Sequence, residues 1–476
     1  MSHFRCDDLP RRLPARCLRR ELTVLLISCA VSLFAISAGA TTACAAESDH
    51  PDIVIFLADD MGYADVGFNG GRDIPTPQLD ALAARGAVLE QFYVQTVCSP
   101  TRAALMTGRH PIRYGLQQGV IRPHMEYGLP LAERTLAHAL QEAGYTTAIT
   151  GKWHLGEYDP AFLPTRRGFD IQYGHFFGML DYSTHLRDGQ LDWYRNDEPC
   201  DDEGYTTRLI AREAVRIVGE QPAEKPLFLY VPFNAVHSPY HTAPGRESDF
   251  ADLKQARREY ATMLSEMDTA IGQVLDALDT AGRRDDALIF FSSDNGGVGP
   301  ASNGSLRAGK GTPYEGGHRV AACVAWDGKI KPGIRIAEPL HIVDLFPTLA
   351  GIVGIPVDAA HQPRPFDGLD ILPVLTNGAK SPHEEILLSC EPSQSSLRVG
   401  DWKIVINRQR ATRKNPNPAN ANTVELFNLA DDHSEQHNLA ESHPEKLAEM
   451  QRRLARYQAE AIEPHSDPTG LPGAVN

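Results

Sequence analysis

The sequence lacks the cysteine patterns that mark a disulfide-rich domain or a zinc site. It holds eight cysteines in 476 residues, and none of them forms a CxxC pair or a Cys/His spacing typical of zinc. A disulfide framework is therefore not expected in a chain of this size. One pair, for example Cys200 with another cysteine, stays open.

An excess of basic charge is also missing. The 46 lysines and arginines are outnumbered by 61 aspartates and glutamates, which gives a net charge of −15. This balance argues against binding to nucleic acid through overall charge, so we expect no nucleic-acid partner. It does not exclude an anionic substrate, because a local cationic pocket can form on an acidic protein.

Long apolar runs are confined to the N-terminus. A basic segment ends at Arg20, an apolar stretch runs from Leu22 to Ala38, and small residues follow up to Ala46. This order predicts a signal peptide over residues 1–46, and hence an exported protein, periplasmic or secreted, without stable membrane insertion after cleavage. An uncleaved membrane anchor is the alternative, and a lipid anchor on Cys44 is a weaker one.

Apolar strands alternate with helical segments over most of the remaining chain. Continuous apolar runs at 52–58, 226–233 and 287–291 are typical of strands that are buried on both faces in a parallel sheet. Helix signals lie between them, for example over 76–86, where a Thr-Pro pair begins the segment and a glycine ends it. We therefore expect an α/β domain over residues 47–373, with a large, mostly parallel sheet sandwiched by helices.

The pattern changes beyond about residue 373. A polar loop is predicted over 407–422, and an amphipathic helix over Pro444 to Ala461. Short strand-like pieces lie at 385–389, 396–399, 402–406 and 424–428. Residues 374–476 are therefore predicted to form a small antiparallel α+β subdomain that packs on the first domain.

Polar residues follow directly after predicted strands, where open α/β sheets place their functional sites. Asp59 and Asp60 follow the first strand, and Asp294 and Asn295 follow a later one. Three carboxylates and one amide suit a hard divalent cation, Ca²⁺ before Mg²⁺, and we expect one ion per chain. An Asp-Asp pair alone is more often a turn, but the second polar pair after a second strand weighs against that interpretation.

Five segments of the chain, taken together, resemble one known family. Cys98-Ser-Pro-Thr-Arg102 resembles the sulfatase signature, in which Cys-x-Pro-x-Arg directs oxidation of the cysteine to formylglycine. The two strand ends with Asp59 and Asp294, the segment Gly151-Lys-Trp-His154, and the loop with Lys310 follow the pattern of the same family in the expected order. The sequence thus resembles the formylglycine-dependent sulfatases of the alkaline phosphatase superfamily.

The resemblance implies hydrolysis of sulfate esters, with a sulfated carbohydrate as the expected substrate. It also implies a formylglycine-generating maturation enzyme as a partner. In the family, formylglycine is hydrated, one hydroxyl binds the metal and attacks sulfur, and the second later expels sulfate. Cys98 is therefore expected both as the nucleophile precursor and as a metal ligand, and Arg102 is expected to orient and polarise the hydrated residue.

Further catalytic roles follow from the same resemblance. Lys152 and Lys310 are expected to bind the sulfate oxygens. His154 is expected to contact the formylglycine hydroxyl and to assist breakdown of the covalent intermediate. His237 is expected to protonate the leaving oxygen, and His241 lies close enough in sequence to remain an alternative to it.

A stretch of polar and aromatic residues lies between the catalytic motifs. Aromatic rings beside histidine and aspartate are what a sugar pocket requires, so five residues are candidates for substrate contact: His175, Asp181, Tyr182, His185 and Trp193. Packing within an ordinary loop is an equal alternative. Within the family, the order of Gly168-Phe-Asp170, Gly174 and Asp181-Tyr182 most resembles the N-acetylgalactosamine-4-sulfatases (arylsulfatase B).

Two other functions stay open at this point. A phosphodiesterase or phosphonate monoester hydrolase of the same superfamily could use the same nucleophile, although the pair of Lys152 and Lys310 favours sulfate. A non-catalytic binder of sulfated glycans could carry a degenerate form of the site. Occupation of every expected catalytic position argues against such a binder.

Overall fold

A central parallel sheet organises the protein and determines where the candidate residues lie. The computed structural model describes residues 50–357, 362, 364–408 and 422–465. The predicted leader and most of the predicted loop at 407–422 lie outside these residues. The boundaries proposed for the leader and the two domains therefore stay predictions.

The strands are numbered along the chain as β1 (Ile53–Ala58), β2 (Ala87–Leu89), β3 (Phe92–Tyr93), β4 (Thr146–Lys152), β5 (Ile171–His175), β6 (Leu186–Arg187), β7 (Gln190–Leu191), β8 (Tyr194–Arg195), β9 (Glu198–Pro199), β10 (Leu227–Pro232), β11 (Leu288–Ser293), β12 (Arg319–Val320), β13 (Ala322–Ala325), β14 (Ile334–Ile336), β15 (Leu340–His341), β16 (Glu385–Cys390), β17 (Gln394–Val399), β18 (Trp402–Arg408) and β19 (Asn422–Asn428).

The α-helices of the described residues are α1 (Pro77–Arg85), α2 (Cys98–Thr107), α3 (Leu136–Glu142), α4 (Thr206–Glu220), α5 (Gln255–Thr280), α6 (Glu315–His318), α7 (Leu345–Val353), α8 (Leu372–Asn377) and α9 (Pro444–Glu460). Short 3-10 helices lie at Gly67–Asn69, Pro111–Arg113, Pro160–Phe162, Pro164–Arg166 and Ile342–Asp344.

Ten strands form the main sheet, in the order β14-β2-β13-β11-β1-β10-β4-β5-β8-β9. The five middle strands, from β11 to β5, are parallel to one another, and antiparallel strands flank them on both sides. This arrangement confirms the predicted α/β class with a mostly parallel sheet. The carboxyl ends of β11, β1, β10 and β4 lie side by side at one edge, where open parallel sheets carry their sites.

Helices cover both faces of this sheet. Ile53 and Ile55 of β1 belong to an apolar cluster that includes residues of α2, α3 and α7. Val54 and Phe56 belong to a second cluster, with residues of α1, α4 and α5. Because alternate side chains of a strand point to opposite faces, a strand with helices on both sides has to be apolar throughout, as β1 is.

One helix is shorter than its sequence pattern predicts. The sequence predicts a helix over Leu131–Ala143 that ends before Gly144, but α3 spans only Leu136–Glu142. The side chain of Thr135 accepts a hydrogen bond from the backbone amide of His138 at 3.1 Å. This contact caps the helix and fixes its start after the turn at 131–134.

A second, antiparallel sheet follows near the C-terminus, in the order β16-β17-β18-β19. Met450 and Leu454 of α9 are buried against Leu387, Leu397 and Ile404 of this sheet. The small C-terminal α+β unit is thereby confirmed as an element of the fold. Within the described part of the chain, no helix is both long and apolar enough to span a bilayer, and the four cysteines found there are all free thiols.

Candidate active site

Two neighbouring strand ends bring the predicted metal ligands together. Asp59 and Asp60 follow β1, and Asp294 and Asn295 follow the adjacent strand β11. The backbone amide of Asp294 donates to the carbonyl oxygen of Ala58 at 3.0 Å, which extends the pairing of the two strands. Asp60 has a φ of 62°, a conformation that costs energy outside glycine and is found at functional sites.

The donor set fits a hard cation. The Asn295 side chain donates from Nδ2 to Asp60 Oδ1 at 2.7 Å, whereas its buried Oδ1 has no hydrogen-bond partner among the described residues. Leaving a buried acceptor unsatisfied is unfavourable, and a cation would satisfy it. Ligand atoms of Asp59, Asp60, Cys98 and His237 lie within 4.8 Å of one another, and the oxygen donors of the site suit a divalent ion such as Ca²⁺ or Mg²⁺.

Cys98 is the first residue of α2 and is buried beside this cluster. Its Sγ donates to Asp59 Oδ1 at 3.4 Å. Burial, followed by the negative charges of Asp294 and Asp59, raises the pKa of the thiol well above its ordinary value. Since the thiolate is the reactive form, the unmodified side chain is a poor nucleophile at neutral pH.

Arg102 contacts a metal-ligand candidate one helical turn after Cys98. Its Nε and Nη2 donate to Asp294 Oδ2 at 3.1 and 2.8 Å, and Nη1 donates to the carbonyl oxygen of Lys152 at 3.0 Å. The guanidinium therefore links the end of β11 to the end of β4. The sequence predicts that Arg102 orients the modified residue 98, and this role stays a prediction beside the contacts with Asp294 and Lys152.

Both predicted sulfate-binding lysines contact carboxylates. The Nζ of Lys152 contacts Asp59 Oδ2 in a fully buried pair, and Lys310 Nζ lies 2.7 Å from Asp60 Oδ1. Burial opposes the charge of Lys310, but the carboxylates of Asp60 and Asp59 help to hold its pKa well above the ordinary value. Three carboxylates are thus offset by three cations, so a divalent ion would leave the site positive and favour an anionic ester.

His154 follows β4 and presents a neutral ring. Burial, then the charges of Lys152 and Arg102, hold the pKa of His154 well below its ordinary value. Its ring packs edge-on against Phe177, with 5.5 Å between centroids. Neither ring nitrogen has a hydrogen-bond partner among the described residues, so the ring is available to exchange a proton.

His237 lies in the loop after β10 and is anchored through one ring nitrogen. Its Nδ1 lies 2.6 Å from the carbonyl oxygen of Ser238. Because a carbonyl oxygen can only accept, Nδ1 carries the hydrogen and Nε2 is the atom that faces Asp60 Oδ2, at 3.5 Å. His241, the alternative from the sequence, instead lies 3.7 Å from Asp181 Oδ2 with 39% of its side chain exposed.

His154 and His237 line a cleft of about 380 Å³ that leads to the carboxylate cluster. Its other walls come from residues 120–124, which the sequence did not single out, and from residues 177–190, where the sequence singled out Asp181, Tyr182 and His185 but none of the residues that line the cleft. Their main polar and aromatic contributions are Arg122, His124, Phe177, Arg187 and Gln190. No motif marks residues 120–124, whereas the second segment was indicated by its polar and aromatic composition but not by the residues that line the cleft.

Four of the five predicted sugar-contact residues are buried in the protein interior: His175, Tyr182, His185 and Trp193. The rings of His175 and His185 stack on Trp193, with centroids 6.2 and 4.7 Å away. As placed here, these rings offer no face to a sugar. Aromatic and histidine side chains suit a packed interior as well as a sugar pocket, so composition alone could not separate the two.

Tyr182 and Asp181 lie on the periphery of the site. The hydroxyl of Tyr182 lies 2.7 Å from the carbonyl oxygen of Asn234 and 2.8 Å from that of His237. It therefore supports the loop that carries His237. Asp181 is the one residue of the five that is partly exposed, next to His241.

Comparison with known proteins extends these observations. The family model described as Sulfatase matches residues 51–355. Arylsulfatase J of Mus musculus is 35% identical over 479 residues, covering 90% of this chain and 79% of the relative. Arylsulfatase A of Homo sapiens is 36% identical, covering 71% of this chain and 70% of the relative.

Solved structures give the same result. The crystal structure of Ps i-CgsB in complex with k-i-k-neocarrahexaose superposes with a TM-score of 0.80 and 31% sequence identity, covering 88% of this chain and 96% of that chain. These similarities extend over most of the chain. They support the family as a whole and do not single out the N-acetylgalactosamine-4-sulfatases.

Proposed function

Because the chain belongs to the sulfatase family and is an arylsulfatase-type hydrolase of sulfate esters, we propose that its substrate is a sulfated carbohydrate and that its nucleophile derives from Cys98. The observation that carries the proposal is the contact of Cys98 Sγ with Asp59 Oδ1 at 3.4 Å, where two lysines and two histidines converge. The likeness to a protein solved with k-i-k-neocarrahexaose supports a carbohydrate substrate.

Two groups would complete the site: formylglycine at position 98 and one divalent cation, Ca²⁺ before Mg²⁺. Asp59, Asp60, Asp294 and Asn295 would hold the cation, together with the side chain at position 98. When present, formylglycine hydrate supplies a hydroxyl nucleophile and the cation supplies Lewis-acid polarisation of the sulfate group. The buried Oδ1 of Asn295, which lacks another partner among the described residues, supports this assignment.

The two lysines are proposed to bind the sulfate oxygens. Each already contacts a carboxylate, Lys152 on Asp59 and Lys310 on Asp60. Sulfate oxygens would compete with these carboxylates for the ammonium donors. Since hydrogen bonds between charged groups are roughly twice as strong as neutral ones, the lysines would fix the ester with its sulfur near residue 98.

The two histidines are proposed to move protons at different stages. A sugar alkoxide is a poor leaving group, so His237 would deliver a proton from Nε2 to the bridging oxygen. His154, which is neutral because of its burial and cationic neighbours, would accept the proton that is released when sulfate departs. General acid and base assistance of this kind accelerates a step by about 10²–10⁴-fold.

Two narrower hypotheses rest on sequence alone. The apolar leader over residues 1–46 supports export to the periplasm or the medium, and the Cys98 motif supports a formylglycine-generating enzyme as a maturation partner. The order of glycines and acids from Gly168 to Tyr182 supports an N-acetylgalactosamine-4-sulfatase-like specificity. Both belong to the proposal.

The test is a panel of defined sulfated oligosaccharides, with an aryl sulfate and a phosphate diester beside them. Released sulfate and desulfated products would be measured for the wild-type chain and for Cys98→Ala. We expect desulfation of at least one carbohydrate by the wild type alone. Faster cleavage of the diester would favour a phosphodiesterase, and binding without turnover by formylglycine-containing protein would favour a non-catalytic glycan binder.

A further inference from the structure

Lys310 lies between two glycines in a loop, residues 309–314, that is called the lysine loop below. Its neighbours Gly309 and Gly311 have no side chains that could pack. Gly311 has a φ of 76°, a conformation that favours glycine. Yet the Nζ of Lys310 is held 2.7 Å from Asp60 Oδ1. Thr312 Oγ1 donates to the carbonyl oxygen of Gly309 at 2.7 Å within the loop, and contacts from other parts of the chain add to this bond.

The C-terminal sheet supplies such contacts near Lys310. Gln394, the first residue of β17, donates from Nε2 to the carbonyl oxygen of Gly311 and to Glu391 Oε1, both at 2.9 Å. Glu391 Oε1 also accepts from Thr96 Oγ1 at 3.1 Å. The backbone amide of Gly311 donates to the carbonyl oxygen of Thr96 at 2.8 Å. The side chains of Gln394 and Glu391 thus join the lysine loop to Thr96, which lies just before Cys98.

The same sheet holds the far end of the loop through buried charges. Lys403 of β18 is fully buried, and its Nζ lies 3.0 Å from Glu315 Oε1 and 2.7 Å from Glu435 Oε1. Glu435 Oε2 accepts from the backbone amide of Glu315 at 2.7 Å. Glu315 begins α6 directly after the loop. The C-terminal unit therefore contacts the loop at Gly311 and the residue that follows it, Glu315.

We propose that the C-terminal sheet completes the active site, and that Gln394 is a positioning residue that acts on turnover through Lys310. The inference rests on the proposed role of Lys310 in binding sulfate. Among the described residues, Gln394 makes no hydrogen bond to the cleft-lining residues or the carboxylate cluster. An effect on turnover therefore passes either through Gly311 and the lysine loop or through Glu391 and Thr96, and only the first route depends on Lys310. A displacement of about 1 Å at a positioning contact can cost about 10²-fold in rate.

A double-mutant cycle tests this coupling. Gln394→Glu keeps the side-chain size but removes the donor that Gly311 and Glu391 share. We expect kcat/KM for an aryl sulfate to fall about tenfold in the wild-type background, mainly through KM, with weaker inhibition by inorganic sulfate. In a Lys310→Ala background, the added loss should stay below about twofold, because residues that act as a unit are not additive.

The matched control is Arg453→Gln. Arg453 lies 3.0 Å from Glu385 and 3.1 Å from Glu449 within the same C-terminal unit, and it does not touch the lysine loop. This variant should keep wild-type kcat/KM and wild-type sulfate inhibition. A loss as large as that of Gln394→Glu would assign the effect to general weakening of the unit and overturn the inference.

The remaining outcomes are equally decisive. Three results would overturn the inference and leave the proposed function standing. They are equal losses from Gln394→Glu in both backgrounds, no loss in either background, and a loss that mass spectrometry traces to lower formylglycine content. Full turnover by Lys310→Ala would instead overturn the proposed role of Lys310, and the inference with it. If Gln394→Glu does not fold, Gln394→Met removes the same donor without adding charge.

Discussion

Arg102 donates two hydrogen bonds from Nε and Nη2 to a single oxygen of Asp294, at 3.1 and 2.8 Å. Both side chains are almost fully excluded from solvent. A third donor of Arg102 binds the carbonyl oxygen of Lys152. The arginine of the signature motif therefore fixes a candidate metal ligand, and its influence on catalysis is expected to pass through the metal site.

Arg102→Lys should weaken metal binding. A lysine has one ammonium in place of the planar guanidinium and cannot reproduce the paired donors. Loss of a contact that orients a metal ligand typically costs about 10–100-fold in metal affinity, so the Ca²⁺ concentration for half-maximal turnover should rise by at least about tenfold. Arg113→Lys, which alters a pair with Asp367, is the control. Unchanged Ca²⁺ dependence in Arg102→Lys would contradict this role.

Active protein should carry formylglycine at position 98. Mass spectrometry of the peptide that contains Cys98 should detect an aldehyde in place of the thiol, because Cys98-Ser-Pro-Thr-Arg102 matches the motif that directs this oxidation in the family. The buried thiol itself, with its raised pKa, would be a poor nucleophile. Cys98→Ala should abolish turnover and keep the unfolding midpoint close to that of the wild type, since little packing volume is lost. Full activity in protein that retains the thiol would rule out this nucleophile.

His237→Ala should separate two substrate types. Sugar alkoxides need a proton as they leave, whereas activated phenolates need it much less, so kcat/KM should fall by about 10²–10⁴-fold for a sugar sulfate and far less for an activated aryl sulfate. Lys310→Ala and His154→Ala should slow both substrates. Equal losses on both substrates for His237→Ala would remove His237 from the acid role and make His241 the next candidate.

Lys403→Met should destabilise the fold strongly. Burial raises the pKa of Glu315, but Lys403 and other cations lower it to about 2, so removing Lys403 leaves buried negative charge uncompensated. The expected loss in the free energy of unfolding is about 3–5 kcal/mol, measured by urea titration. Lys446→Met breaks a partly exposed pair with Glu449 and should cost much less, because ion pairs near the surface contribute little to stability. Similar losses in the two variants would contradict the importance of burial.

His318 should contribute to acid sensitivity. Burial and the charge of Lys403 hold the pKa of His318 at about 3, below its ordinary value of 6.5. The unfolded chain therefore binds a proton that the folded chain excludes, and stability is lost as the pH falls from 6.5 towards 3.

His318→Gln should remove this share of the pH dependence. Between pH 7 and pH 5, the free energy of unfolding of His318→Gln should fall less than that of the wild type. The difference between the two proteins should grow by up to about 1.4 kcal/mol for each pH unit below 6.5. His437→Gln, at a side chain that is 82% exposed, should follow the wild-type slope. If the free energy of unfolding of His318→Gln depends on pH as strongly as that of the wild type, another group governs the stability between pH 7 and pH 5.

The sequence by itself determined the class of fold and the main catalytic motifs. The apolar run of β1 had to lie between two layers of helices, because only a strand covered on both faces excludes polar side chains. The polar pairs after β1 and β11 were expected at one edge of the sheet, because parallel strands place their carboxyl ends there, although only the structure shows that these two strands are neighbours. Both conclusions follow from local pattern combined with the geometry of a parallel sheet.

The tertiary structure alone decided which distant side chains touch. Lys403 and Glu315 are 88 residues apart, and no periodicity within either segment indicates that they form a buried pair. No local pattern indicates the contact of Arg102 with Asp294 or the stacking of His175 on Trp193 either. A histidine beside a tryptophan would suit a sugar pocket equally well. The physical reason is that hydrophobic periodicity fixes which face of an element is buried, whereas the neighbour on that face depends on how all the elements pack together.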